Sequence, residues 1–282
     1  MYSLELVNEW NRSIKMTQNE KRWQVTNVSG LDFPAAVIST SSIATLDGSR
    51  VNSRRLDNRN VVIGYVYNGD VEKNRGMIND VVMPKRYIKV LYRNKSKDVY
   101  IEGYVETSEY NLFEKKASGQ ISIICPGVYW LDRKSSETIL TQTIPLFEFP
   151  CSIPKEGVAL SELMNDTYGD VINGGNVESG TVFELSANRP VFKPKLVNVS
   201  TGQTMQLDIQ MLAGDHITIS TVKGSKHIVL ERNGQMINII NTLAGRDWIT
   251  LVPGYNRISY GAESGAVGLV VKVSHRNMYG GV

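Results

Sequence analysis

Two cysteines, three histidines and four tryptophans are all that this chain of 282 residues holds of its most chemically distinctive side chains. Cys125 and Cys151 are too few for a disulfide framework, and no CxxC is present for zinc or redox work. Reduced thiols and synthesis in a cytoplasm are the expectation. His216, His227 and His275 are scattered, no two of them spaced to share a metal on one element. There is no Walker loop, no GxGxxG, no HExxH and no G-x-S-x-G. No catalytic residue, cofactor-binding residue or metal ligand is therefore assigned, and an enzyme is not expected. No run reaches the ~18–20 apolar residues that span a bilayer. The opening "MYSLELVNEWNRSIK" lacks the apolar core of a signal peptide, so export by that route is not expected. A net charge of +3 is too small to imply nucleic-acid binding by itself.

Strand patterns dominate what is present. "DVYIEGYVE" (98–106) alternates Val99, Ile101, Gly103 and Val105 with Tyr100, Glu102, Tyr104 and Glu106, the period of a half-buried strand. "RYIKVLY" (86–92) precedes it across a polar "RNKSKD", which predicts an antiparallel hairpin. One helix is predicted over "VEKNRGMINDVVM" (71–83), capped by Asp70 and stopped before Pro84. Met77, Ile78, Val81 and Val82 form the stripe that would lie on a sheet. The polar "DRKSSETILTQT" (132–143) reads as a boundary, giving two domains, residues 1–133 and 134–282. Beyond it, short strands punctuated by glycine recur at roughly 8–12-residue spacing, as in a sandwich. The fold class expected is all-β with one short helix.

Several residues invite a chemical reading. "GQISIICPGVYW" (119–130) runs a buried strand into Cys125 and Pro126, but no base or cation stands near Cys125 in sequence to activate it. Cys125 is read as a strand residue, and Pro126 as the strand's end. Glu102 and Glu106 share a strand face about 13 Å apart, too far for the ~6.5–9.5 Å of an inverting glycosidase pair. "DTYGDVINGGN" (166–176) has calcium-loop residue types without their register or closing Glu, and reads as a turn leading into a strand. The first 150 residues hold 20 Lys and Arg against 17 Asp and Glu, the rest 11 of each. "SRVNSRRLDNRN" (49–60) gathers Arg50, Arg54, Arg55 and Arg59. No aromatic lies among them to stack on bases, so a solvated turn or a polar subunit contact is preferred to a DNA-contacting loop.

The same segments carry a family likeness. "GQISIICPGVYW" resembles the strand and Cys-Pro turn that close the first domain of distal tail proteins from long-tailed phages, the Siphovirus-type tail components. "VSGLDFPAAVI" (28–38), "LDGSRVNSRRLDNRNVVIG" (46–64), "NGDVEKNR" (68–75) and "DVYIEGYVE" are similar to further segments of that domain, in the same order. "GDVINGG" (169–175), "VNVSTGQTMQLD" (197–208), "LVPGYNRISY" (251–260) and the terminal "YGGV" are similar to segments of the second. "PGVYW" departs from the Asp-Pro-aromatic run that often follows the family's Cys-Pro. The resemblance implies a barrel-like or sandwich first domain forming a ring, usually a hexamer, between tail tube and host-adhesion apparatus. It implies a jelly-roll or galectin-like second domain facing outward. Implied partners are copies of the chain, the tail tube protein, a tail-tip protein and receptor-binding or baseplate proteins, with DNA crossing the channel unread and no membrane contact. The virion tail is the implied location. On this reading Arg50, Arg54, Arg55 and Arg59, with Glu102 and Glu106 on a neighbour, are the expected oligomer interface. Two other readings stand beside it. A carbohydrate-binding sandwich would use Trp248 and Tyr255 to stack on a sugar, although "DWITLVPGYN" reads better as core aromatic plus turn. A tail-associated hydrolase lacks any metal or nucleophile constellation to carry it.

Overall fold

The structure, a computed structural model, describes residues 2–17, 20–44, 47–140, 143–145, 161–163 and 168–282. The chain forms two compact units, Met1–Arg133 with Met278–Val282, and Lys134–Asn277. The last five residues, expected with the second domain, lie in the first unit. They are drawn there because Tyr279 and Met278 pair antiparallel with Trp130 and Leu131.

In the first unit the strands are β1 (Ser3–Asn8), β2 (Ser13–Met16), β3 (Trp23–Ser29), β4 (Ala36–Ser42), β5 (Ser49–Leu56) and β6 (Arg59–Tyr67). After helix α1 (Val71–Asn79) come β7 (Tyr87–Arg93), β8 (Asp98–Asn111), β9 (Ser118–Cys125) and β10 (Trp130–Asp132). One antiparallel sheet runs β2-β1-β7-β8-β9-β6-β3. Its outermost strands meet where the Trp23 indole donates to the Lys15 carbonyl at 2.9 Å, which curls the sheet toward a barrel. The β7–β8 hairpin forms as its alternation predicts, Ile88, Val90 and Tyr92 facing inward with Val99, Ile101 and Val105. Val61, Ile63, Tyr65, Ile121, Ile123 and Cys125 complete the core from β6 and β9.

The helix is shorter than its sequence pattern. Asp70 caps it by accepting from the Lys73 amide at 3.1 Å, and it ends at Asn79. The Val81 and Val82 amides still donate to the Ile78 carbonyl, a tightened last turn before Pro84. Ile78, Val81 and Val82 are buried in the core and Met77 packs at its edge. None of the helices among the described residues is long and apolar enough to cross a membrane.

The second unit is a sandwich. One sheet orders Ser136–Ile139, Leu269–His275, Ser179–Ala187, His216–Ser220, His227–Arg232 and Gln235–Asn238. The other orders Tyr168–Asn173, Gly254–Ser264, Val191–Asn198, Gln203–Leu207 and Leu243–Ala244. Phe183, Leu185, Ile217, Ile219, Val271 and Val273 meet Val171, Leu196, Met205, Leu207 and Ile258 between them. At one end three asparagines are buried. Asn173 donates to the Val177 and Leu251 carbonyls, Asn198 to that of Thr250, and Asn256 to those of Val252 and Gly254. Asn173 and Asn198 stand at the ends of their strands and Asn256 near the start of its own, within three segments that carry the family likeness.

Burial ranks two substitutions. Val81→Asp places a carboxylate in the core and should cost roughly 3–5 kcal/mol. Arg54→Ala, on an exposed strand, should stay within about 0.5 kcal/mol. Thermal unfolding of the two variants checks this, and equal midpoints would contradict the packing of the helix end.

Candidate functional site

The arginine-rich segment is a strand and not a turn. Serine, threonine and β-branched residues on β4 and β5 pair them antiparallel, from Ala36 opposite Leu56 to Ser42 opposite Ser49. A bulge between Ser39 and Thr40 leaves Asn52 as the extra residue, where it accepts from the Ser41 hydroxyl at 3.2 Å. The pair forms a sheet of its own, joined to no other strand among the described residues. Every residue of it is exposed except Leu56, which is half-buried.

Both faces of this arm combine cation and aliphatic surface. Cross-strand partners share a face, so Arg54 lies beside Ile38 with Val51 farther out, while Arg55 lies beside Val37 with Arg50 farther out. Ile38 is 60% exposed and Val51 56% on one face, and Val37 is 38% exposed on the other. The Arg55–Asp57 pair, at 3.5 Å and exposed on both sides, adds little.

Arg59 does not belong with these three. It opens β6 at an inward position and is buried. Its guanidinium donates to the backbone carbonyls of Val128 at 2.9 Å, of Gly30 and Gly280 at 2.5 Å each, and of Asp32. The Trp130 ring lies 5.7 Å from its centre. Burial pulls its pKa below the usual arginine value, opposed by Cys125 and Asp32. Arg59 is thus removed from the expected interface, because inward alternation on β6 leaves it no outer face. Its position opposite Cys125 in the β6–β9 ladder is what sequence spacing could not reveal.

Glu102 and Glu106 both point outward from β8 and are exposed. Glu102 pairs with Lys89 at 3.2 Å, and Glu106 accepts from the Ser122 hydroxyl at 2.8 Å. Among the described residues no ion pair within the chain joins either to Arg50, Arg54 or Arg55. Tyr87 and Tyr104 meet edge to face beside them, 6.2 Å between centroids.

The remaining candidates are held in structural roles. Cys125 is buried at the end of β9, and burial pushes its thiol up to about 12, with Arg59 pulling the other way. Cys151 lies outside the described residues. His216 meets the Ser186 hydroxyl, His227 the Ser225 carbonyl, and buried His275 the Ile172 carbonyl. Asp170, in the calcium-like segment, is engaged by Arg257 at 3.0 Å. No group of three or more His, Cys, Asp or Glu converges among the described residues. Trp248 packs on the second core beneath the Lys226 ammonium, whereas Tyr255 is 74% exposed.

Comparison with known proteins gives this geometry a context. Residues 174–279 match the family model described as Siphovirus-type tail component, C-terminal domain. That segment is similar to the C-terminal domain of Siphovirus-type tail components. Over nearly the whole chain the fold is similar to that of the crystal structure of SPP1 Dit, described as a paradigm of the hub adsorption apparatus in phages infecting Gram-positive hosts. The TM-score is 0.67 at 10% identity, covering 98% of each chain. A chain of the phage P2 baseplate, in its activated conformation with calcium, is also similar, with a TM-score of 0.50 at 11% identity over 100% of each. No curated protein matches. All of the tail-component match except its last two residues lies in the second unit, whereas the SPP1 Dit likeness covers 98% of the chain.

The Cys125 environment has a pH consequence. In the unfolded chain a thiol ionises from about pH 8.5, while in the folded chain it keeps its proton to about 12. The unfolded state binds fewer protons across that window, so stability falls as pH rises through it. A Cys125→Ala variant should lose that component of the fall, measured by denaturant unfolding at pH 8 and pH 11. A thiol reagent at pH 8 should leave native Cys125 unmodified and react only after unfolding.

Proposed function

We propose that this chain is a structural component of a phage tail, in which first units join head to tail as a hexameric ring between tail tube and host-adhesion apparatus. Second units face outward and hold tail-tip, receptor-binding or baseplate proteins. The role is mechanical and not catalytic, and the assembled location is the virion. DNA crosses the ring without specific contacts.

The observation that carries this reading is the β4–β5 arm, open on two faces and two edges. An isolated two-stranded ribbon is marginal in water, and its free edges are templates for pairing with another chain. Ring closure needs one surface fitted to a different surface on the neighbour. Arg50, Arg54 and Arg55 with Ile38 and Val51 supply one such surface. The Glu102–Glu106 face of β8 supplies an acidic complement. The tail-component match of the second unit and the whole-chain likeness to a phage hub protein support the same reading.

Light scattering on the full chain should give a mass that is a multiple of 31.4 kDa, with rings visible by electron microscopy. Replacing Arg50, Arg54 and Arg55 together by Glu should return it to monomer, and adding Glu102→Lys with Glu106→Lys should restore assembly. Salt near 1 M should weaken the contact if charge dominates, because the Debye length there is only about 3 Å. A chain that stays monomeric at every concentration and salt would overturn the ring.

A further inference from the structure

The β4–β5 arm is an excursion between two strands that pair with each other. β3 and β6 run side by side up to Ser29 opposite Val62, and the chain then leaves at Gly30 and returns at Arg59. Both feet of the arm therefore stand at one place, and that place is crowded with unusual contacts.

Gly30 turns the chain out of β3 at φ +83°, so close to β6 that a Cβ there would sit 2.1 Å from the Asn60 carbonyl oxygen. Arg59 grips the outgoing foot through the Gly30 and Asp32 carbonyls. It grips Val128 in the connection from β9 to β10 with its Nε, and Gly280 near the end of the chain with its second terminal nitrogen. The last residues then lie along the same foot. The Val282 amide donates to the Leu31 carbonyl at 3.2 Å. Gly280 is so tight against Phe33 that a Cβ would meet the ring at 1.8 Å. Leu31 and Val282 both pack at the edge of the first core. The foot is held both by a buried guanidinium and by residues 280–282.

We propose that Arg59 and residues 280–282 form a clasp that sets the direction in which the arm leaves the first unit. Arg59 is a positioning residue for the arm and makes no contact with a neighbour. The dependence of assembly on the clasp rests on the ring reading above. The clasp itself does not. A pre-aimed arm loses less freedom when it docks, so release of the clasp weakens assembly without removing any group from the docking surface.

The test measures direction and assembly separately, in the full chain. Nitroxides are attached at Thr40→Cys on the arm and Lys95→Cys in the β7–β8 turn, in a Cys151→Ser background, with buried Cys125 left unlabelled. Labelled chain is diluted into unlabelled chain, and the spin-spin distance distribution is recorded for three forms: otherwise unaltered, Arg59→Lys, and ending at Tyr279. The expected result is a distribution that roughly doubles in width in both altered forms while each keeps cooperative thermal unfolding. Assembly affinity by light scattering should fall roughly tenfold alongside. Unchanged widths in both would overturn the clasp. If the chain ending at Tyr279 fails to fold, the Arg59→Lys width decides. A doubled width in a chain that never assembles would uphold the clasp and remove the ring.

Discussion

A single buried guanidinium organises the first unit. Arg59 carries its charge into a site where, among the described residues, it forms no ion pair, and an isolated ion there would be prohibitively costly. Four carbonyl dipoles and an indole face replace the lost water. Those carbonyls come from three separate segments of the chain, residues 30–32, 128 and 280. Each must arrive for the charge to be tolerated, and each carbonyl would be left without its donor if the arginine were absent. Desolvation thus works as a geometric constraint, since the folded unit is one in which all three segments converge.

That convergence explains why the arm begins where it does. From Arg59 onward every second residue of β6 enters the core, Val61, Ile63, Tyr65 and Tyr67 in turn. Before it, the chain touches no core at all for most of two strands. The boundary between buried sheet and free ribbon falls on one side chain. The apolar surface of Ile38 and Val51 is therefore left in water by the same alternation that buries Val61.

Much of the scaffold could be read in the sequence, because its signals are local. The β7–β8 hairpin, the Asp70 cap, the strand ending at Cys125 and the change of texture near residue 133 each depend on neighbours within a dozen residues. What could not be read was long-range. "SRVNSRRLDNRN" was expected as a polar turn, since a strand exposed on both faces has no hydrophobic alternation to announce it. Arg59 looked like its neighbours Arg54 and Arg55, and only the β6 register distinguishes it. The return of residues 278–282 depends on a pairing across nearly 150 residues. The three buried asparagines resemble ordinary turn residues, although for Asn173 and Asn256 the glycines of "NGG" and "PGYN" are a usable signal.

The pairing of β10 with Met278–Tyr279 makes the whole second unit an insertion into the first. The chain departs from and re-enters the first unit on two neighbouring antiparallel strands, whose facing Cα atoms stand about 4.5–5.5 Å apart. Any module whose own termini lie a strand spacing apart meets the geometric requirement for replacement there. Recombination at this one ribbon would exchange the second unit and leave the strands of the first unit untouched, so the two can evolve on separate clocks.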